Sequence, residues 1–566
     1  MASIVLACGS ARQGFDDGRD GPNGAGPGGS GGLGGLGGES ACVDGRICVG
    51  FDIHRCDADG GAVGEKIGEC VGADEACLDG ECQSGCKAVD EGSPSNVGCE
   101  FWAVDLDQTV DPGNNAQAAP WGVVVANPGG SLADVTIEQN DAPPGEPRQL
   151  TVVKKLAIPG GNVETVVMPT REVDGSLQAA NEGPGTVITS NAFRITSTAP
   201  IVVYQLNALA QAFSNDGSLL IPRGGLGLVH RVLAYPTAYP APVPLAGVRR
   251  AYITVVGVHE ATSVTIRTST PTLEAPGFPA LAKDGEVTVT LGPFDVFNLE
   301  SHGNPGDFTG STVVASKPVA VFTGTEMSAA PVNQSGVPTP PGGEHGTCCL
   351  DHLEEQLFPV ESYGKRFVIP HSAVRSTGGW IEPDIIRFMG VATSATVTTN
   401  LPAPFDSFTL EPGEMRETYA QKDFIVESTE PIAIAQILVA QEWLQGSLKG
   451  DPSLSIFPAI DQYRRNYLFS VPKSWRENFV VVAMPVGAEV TIDGSPLPAS
   501  CARRAAGVIG GVEFETRTCA LSEGPHAMAG DKAFGITAYG YGTAGSYAFV
   551  GGANITKIYA PPPFTK

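Results

Sequence analysis

No run of about 20 consecutive apolar residues occurs in this chain of 566 residues, so its sequence offers no transmembrane helix. Basic residues are scarce: 35 Lys and Arg stand against 61 Asp and Glu, a formal net charge of −26. A protein that grips phosphate backbones clusters Lys and Arg, so no nucleic-acid partner is expected. The same balance argues against electrostatic adhesion to an anionic membrane, which leaves a covalent lipid as the route to any membrane attachment. Charged residues make up only 17% of the chain, whereas Gly (72) and Pro (45) are abundant, a balance that favours turn-rich β structure over helices. The phosphate-loop pattern G-x-x-x-x-G-K-[ST] is absent, and the eight histidines are scattered without a local Ser-His-Asp signature.

Cysteine is plentiful, and its distribution is uneven. The first ten residues, MASIVLACGS, contain Val5-Leu6-Ala7-Cys8, which resembles a bacterial lipobox, the motif cut before a cysteine that then carries lipid. No basic residue precedes Cys8, and a secretory signal needs a basic start followed by about 7–15 apolar residues. Either the match is accidental or translation begins upstream of this Met. With Cys8 set aside as the lipidation site, twelve of the 13 cysteines remain. Eight crowd one segment: Cys42, Cys48, Cys56, Cys70, Cys77, Cys82, Cys86 and Cys99. Cys348 and Cys349 are adjacent, and Cys501 and Cys519 flank a possible hairpin. No C-x-x-C pair stands in the crowded segment, so zinc is not expected there. All twelve are read as disulfide candidates in an oxidising compartment, with their connectivity open. Export to the outer membrane or cell surface is therefore expected, lipid-anchored through Cys8 or else freely secreted.

Residues 9–40 are Gly-rich and cannot bury enough apolar surface to offset their ordering entropy; they read as a disordered tether after the 1–8 remnant. Within them, GLGGLG at 32–37 and GGSGG at 28–32 match dinucleotide and nucleophile-elbow patterns without the strand and helix that both mechanisms need. Residues 41–98 form a cysteine-rich module with almost no aromatic core, so cross-links must supply its stability.

From residue 99 onward, β-branched runs alternate with Gly, Pro, Asn and Asp, and an internal repeat emerges. WGVVVANPGGSLADVTIE (121–138), YITVVGVHEATSVTIRT (252–268), DIIRFMGVATSATVTTN (384–400) and NFVVVAMPVGAEVTIDG (478–494) each read as a hairpin. FRITSTAPIVVYQLNA (193–208), TVVASKPVAVFTGTE (312–326) and FIVESTEPIAIAQILVA (424–440) follow, with Pro200, Pro318 and Pro431 at the same place. HAMAGDKAFGITAYGYG (526–542) is a fourth copy without the proline. The runs after these prolines are apolar on both faces, the pattern of a central, covered strand. IPRGGLGLVHRVLAYP (221–236), FPVESYGKRFVIP (358–370) and FPAIDQYRRNYLFSVP (457–472) open the later copies. Four copies are expected at 99–215, 216–350, 351–450 and 451–566. The fold class is all-β, tandem sandwich-like repeats, with a propeller-like closed array as the alternative.

GCEFWAVDLDQ at 98–108, the S-x-x-P strand repeats and CCLDHLEEQLFPVESYGKRFVIP at 348–370 together resemble the N-terminal domain family of IgG-Fc-binding proteins, over about residues 98–566. They are most similar to its bacterial cell-surface members, which often carry a lipobox, a Gly-rich tether and a cysteine-rich module. The resemblance implies an exported, non-catalytic binding or adhesion architecture. In animal members it implies an immunoglobulin Fc or mucin-like partner. Family membership does not fix the ligand of a bacterial copy.

Three constellations invite chemistry. EHGTCCLDHLEE at 344–355 gathers His345, Cys348, Cys349, Asp351, His352, Glu354 and Glu355. Adjacent cysteines in extended backbone point to opposite faces, so disulfides and a structural histidine network are expected rather than a metal or a Cys-His nucleophile. Asp105 and Asp107 alternate on one strand face, as a calcium or acid–base pair would, but the expected reading is a solvated face; Asp57-x-Asp59-Gly60 reads as a turn. Gln205 and Gln436, with Thr323 at the equivalent offset, sit in covered strands and must find hydrogen-bond partners. No catalytic, cofactor or metal residue is assigned. The expected function is a surface lipoprotein that binds an extracellular protein or glycan. A structural envelope component is the alternative, and a surface-polymer hydrolase using Asp105 or His352 is less favoured.

Overall fold

Four times along the chain, the polypeptide crosses from one sheet of a sandwich to the other. The computed structural model describes residues 42–56, 63–111, 114–176, 185–209, 214–237, 249–303, 305–342, 350–473 and 475–562. Cys8, the 9–40 segment, Asp57, Asp59, Gly60, His345, Cys348 and Cys349 lie outside them.

In the first copy a long strand, Phe193–Asn207, belongs to two sheets. Its first half pairs with Gly98–Ala103 and Ala133–Asn140, and its second half with Gly122–Ala126 and Asp216–Leu219. Thr312–Ser328 and Gly524–Tyr541 do the same in the second and fourth copies. In the third copy the strand is split into Phe424–Ser428 and Ile432–Leu438. Proline explains where the crossing falls. It donates no backbone hydrogen bond, so a ladder cannot run through it. The register jumps between Thr196 and Ile201 around Pro200, and between Val314 and Val319 around Pro318; Pro431 sits at the break in the third copy. The fourth copy jumps between Ala529 and Phe534 without a proline.

This crossing overturns the hairpin reading. Gly122–Ala126 and Ala133–Asn140 do not pair with each other; they flank opposite halves of the long strand, in different sheets. The corresponding pairs Ala251–Gly257 and Thr262–Arg267, Asp384–Gly390 and Ala395–Thr399, and Glu477–Pro485 and Val490–Ile492 behave alike. Two sheets sharing one bent strand face each other over a core, the sandwich arrangement. The propeller alternative fails for the same reason, because each copy is a pair of facing sheets rather than a single blade.

Each copy closes on a short buried strand after the long one: Asp216–Leu219, Asp351–Gln356, Leu454–Ile456 and Ser546–Val550. These strands fall just beyond the expected boundaries at 215, 350 and 450, so DHLEEQ ends the second copy instead of opening the third. A one-turn 3-10 helix then leads into the next copy, at Arg223–Gly225, Val360–Ser362 and Ile460–Gln462. Val187–Thr189, before the first long strand, joins the second copy's sheet by pairing with Val296–Glu300.

Neighbouring copies are tied by buried side chains. Trp102 meets Phe294 edge-on at 4.9 Å between copies one and two. Arg387 of copy three donates to Asp307 at 2.9 Å and to the Ala234 carbonyl at 2.7 Å in copy two. Arg504 of copy four reaches Asp423 of copy three at 2.6 Å, and the Tyr204 hydroxyl of copy one donates to the Gly551 carbonyl of copy four at 2.7 Å. Each of the four copies thus touches at least two others.

In the cysteine-rich module, Arg46–Val49, Asp52–Cys56 and Val63–Glu69 form one small sheet, and Glu75–Leu78 with Glu81–Ser84 a hairpin. A short α-helix, Cys86–Glu91, follows. Bridges join Cys42 to Cys56, Cys48 to Cys77, Cys70 to Cys82 and Cys86 to Cys99. Cys501 and Cys519 bridge across the hairpin of Ala502–Ile509 and Val512–Ala520. The module docks on copy four through Arg465 to Glu69 at 2.8 Å and Arg464 to the Ala73 carbonyl at 3.3 Å. Among the described residues no helix is long and apolar enough to cross a membrane.

Close approach of the closing strand makes one glycine irreplaceable. A Cβ on Gly324 would lie 2.0 Å from the Leu353 carbonyl oxygen and 2.4 Å from the Tyr252 hydroxyl. Backbone cannot swing away as a side-chain tip can, so Gly324→Ala is expected to destabilise the chain by about 1–3 kcal/mol. Urea unfolding monitored by tryptophan fluorescence reads this; an unchanged midpoint would contradict the packing.

Candidate functional site

The closing strand Asp351–Gln356 is buried along its whole length, although Asp351, His352, Glu354 and Glu355 are all titratable. Buried polar groups need partners, and these find theirs across copy boundaries. Asp351 accepts from the Asn215 amide at 2.7 Å, and Gln356 from the Ile221 amide at 2.8 Å, both in copy one. Glu355 accepts from the Ile456 amide of copy three at 3.4 Å. Glu354 accepts from Asn207 at 2.7 Å, Ser218 at 3.1 Å, Gln205 at 3.5 Å and its neighbour His352 at 3.3 Å. Asp216 of copy one accepts from Ser453 Oγ at 2.6 Å and the Leu454 amide at 2.9 Å in copy three, and from the Glu354 amide at 3.1 Å in copy two. Side-chain oxygens here satisfy backbone donors at the edges of the closing strands. Burial pushes the Asp216, Asp351 and Glu355 carboxyls well above their usual range.

Five further carboxylates converge where copies one and two meet. Copy one supplies Asp107, Glu172 and Asp174. Copy two supplies Glu300, at the end of strand Val296–Glu300, and Glu326, in the long strand. One oxygen each of Asp107, Glu172 and Asp174 lie within 4.8 Å of one another, as do oxygens of Asp107, Glu300 and Glu326. Asp107 belongs to both groups and is wholly buried (0% exposed). The solvated face expected for Asp105 and Asp107 is therefore corrected: both are buried. The strand ends at Ala103, so the two carboxylates sit in the buried segment that follows it rather than on a strand face. Asp105 bridges to Glu172 and accepts from the Arg171 amide at 2.8 Å.

Donors reach four of the five carboxylates. Glu172 accepts from the Gln108 amide at 3.3 Å and from Gln117. Asp174 accepts from the Ser176 amide at 2.7 Å, Glu300 from the Gly185 amide at 2.5 Å, and Glu326 from the Arg250 amide at 3.0 Å. Neither oxygen of Asp107 accepts from an amide, hydroxyl or guanidinium donor, and the Glu300 carboxyl lies against it. The Arg250 guanidinium lies 3.7 Å from Glu300, and the buried Arg249 is its chain neighbour. Two cations face five carboxylates. Burial first, and then repulsion from its neighbours Glu326, Asp174, Glu300 and Glu172, push the Asp107 carboxyl well above the usual range. Burial likewise raises Glu172, Asp174, Glu300 and Glu326. An acid-rich cluster of this kind suits protons or hard cations; among the described residues it offers no thiolate or imidazole to a softer metal.

The other sequence candidates are structural. Gln205 accepts from the Val104 amide at 2.9 Å, Gln436 donates to Asp384 at 2.8 Å and the Pro370 carbonyl at 3.0 Å, and Thr323 donates to the Tyr252 carbonyl at 3.2 Å. His352 stacks on Tyr252 at 6.3 Å. Glu172, Asp174, Glu300 and Glu326 escape a reading of the sequence. The one signal, for Glu300 and Glu326 alone, is an acidic residue at or near the end of an otherwise covered strand, in VFNLE and TGTEMS.

The family model described as IgGFc binding protein matches residues 216–540, from the closing strand of copy one into the long strand of copy four. The chain is 26% identical over 390 residues to the human IgGFc-binding protein, an alignment that spans 68% of this chain and 6% of that protein. A solved structure, the GH78 family rhamnosidase of Bacillus sp. GL1, aligns over 59% of this chain and 54% of its own with 10% identity and a TM-score of 0.10, too low to bear on fold or activity. Since the family model covers more than half of the sequence and three of the four sandwiches, the chain belongs to the IgGFc binding protein family.

Proposed function

We propose that this chain is a non-catalytic extracellular binding module that engages a protein or glycan outside the cell, as a lipoprotein held by Cys8 and extended by the 9–40 tether. The observation that carries this reading is the family match across copies two to four, joined to five disulfides that suit an oxidising compartment. The engagement of its histidines supports a non-catalytic role. His371 bonds to the Ser372 and Glu382 carbonyls at 2.8 and 2.7 Å, His526 bonds to Asp493 at 2.8 Å, and burial pushes His230 down to about 3, keeping it neutral. His371 and His526 have both ring nitrogens engaged, which leaves neither ring free to activate a nucleophile.

Two experiments test the halves of this reading separately. Feeding a labelled fatty acid to bacteria that express the gene with its upstream codons is expected to label wild type and not Cys8→Ala; label on neither removes the lipid anchor. Immobilised full chain is expected to capture a partner from extracellular matrix or bind purified immunoglobulin Fc. Failure to retain any matrix protein, glycan or Fc removes the binding role and favours an envelope component.

A further inference from the structure

We propose that the carboxylate chamber between copies one and two is a calcium site centred on Asp107, with Glu172 and Asp174 as ligands from copy one and Glu300 and Glu326 from copy two. Two independent observations carry this. The first is the convergence: carboxylate oxygens in two groups, each within 4.8 Å, that share one residue. The second is Asp107 itself, which is 0% exposed, receives no amide, hydroxyl or guanidinium donor on either oxygen, and faces the carboxyl of Glu300 instead. A buried carboxylate without a donor costs the full desolvation of its charge, which a cation between its oxygens would offset. Every other carboxylate of the group keeps at least one donor that fixes its position, as ligating carboxylates require. Asp107 is thus held among oriented acceptors with its own lone pairs open.

The donor chemistry selects the ion. Two groups of three carboxylates that share Asp107, with no Cys or His in either among the described residues, suit a hard cation. Calcium takes six to eight oxygens in irregular geometry at about 2.3–2.6 Å, whereas magnesium demands a tight octahedron and keeps several waters. Oxygens from two strand-borne and three loop-borne acids of two sandwiches, each group within 4.8 Å, fit the longer bonds and irregular shell of the former. Its consequence is mechanical. An ion at Asp107 would bond copy one to copy two, where Trp102 meets Phe294, and neutralise charge that otherwise pushes them apart.

The test uses the full chain, stripped with a chelator and dialysed. Metal analysis after gel filtration in calcium is expected to find at least about one calcium per chain, and added calcium at 100-fold over its Kd to raise Tm measurably, by about 2 °C. Asp107→Asn is nearly isosteric and gives a sign reversal. In calcium its Tm should fall below wild type, and in chelator it should equal or exceed wild type, because a repelling charge is gone. Glu326→Gln and Glu172→Gln should each weaken calcium binding by about 10-fold or more, while Asp141→Asn, on the surface, should not. If Asp107→Asn fails to fold, calcium binding by wild type and its loss in Glu326→Gln still decide the matter. A wild-type chain that retains no calcium, a Tm indifferent to calcium, or a preference for magnesium would each overturn the assignment. None of these results depends on whether the chain binds a partner.

Discussion

Asp216→Ala is expected to lower the unfolding free energy of this chain by about 3 kcal/mol or more, since each buried donor left without an acceptor costs about 1–3 kcal/mol. The residue sits where three sandwiches meet. Removing its carboxyl strands the Ser453 hydroxyl, the Leu454 amide and the Glu354 amide at once, in copies three, three and two. All are buried in or directly beside the closing strands, where water cannot reach without opening the assembly. Asp216→Asn keeps the shape but turns one acceptor into a donor that faces other donors, so it should fall between wild type and Ala. The double variant Asp216→Ala, Ser453→Ala should lose less than the sum of the two singles, because they share one bond. Denaturant unfolding of the four proteins reads all of this. Additive losses, or a silent Asp216→Ala, would mean that the carboxylate does not join the copies.

Replacing Cys48 and Cys77 together by Ser should cost about 3–4 kcal/mol, the loop-closure value for the 29-residue separation they close. The bridge links the three-stranded sheet of the module, through Arg46–Val49, to the hairpin through Glu75–Leu78. Few large apolar side chains replace that link: Cys77 itself is among the most buried residues of the module, while Val49, Val63, Ile67 and Val71 are exposed. The loss should be local. Hydrogen exchange is expected to rise across residues 63–97 and to stay slow in the long strands of the four copies. Unchanged exchange in the module would show that docking on Arg464 and Arg465, rather than the cross-link, holds it together.

How much of this was legible beforehand depends on the range of the interaction. The repeat was visible because each copy uses the same local solution: a β-branched run, a polar turn, and a proline where the strand leaves one ladder for another. Pro200, Pro318 and Pro431 mark that point in sequence and in structure. The partner of each strand was not visible. WGVVVANPGGSLADVTIE contains two strands and a turn, as a hairpin does, yet its strands pair with opposite halves of a segment about 70 residues downstream. Nothing local distinguishes the two outcomes.

Chain order, alternation and composition, which are properties of neighbouring residues, determined by themselves that this protein is all-β, repeated four times, acidic and rich in cross-linkable cysteine. The tertiary structure alone decided which cysteines meet, that DHLEEQ closes a copy and bonds it to two others, and that Asp107 is buried among four more acids. The physical reason is that pairing, burial and the meeting of like charges depend on distances through space between residues far apart in the chain, as Asp107 and Glu326 are, and a linear pattern carries no record of them.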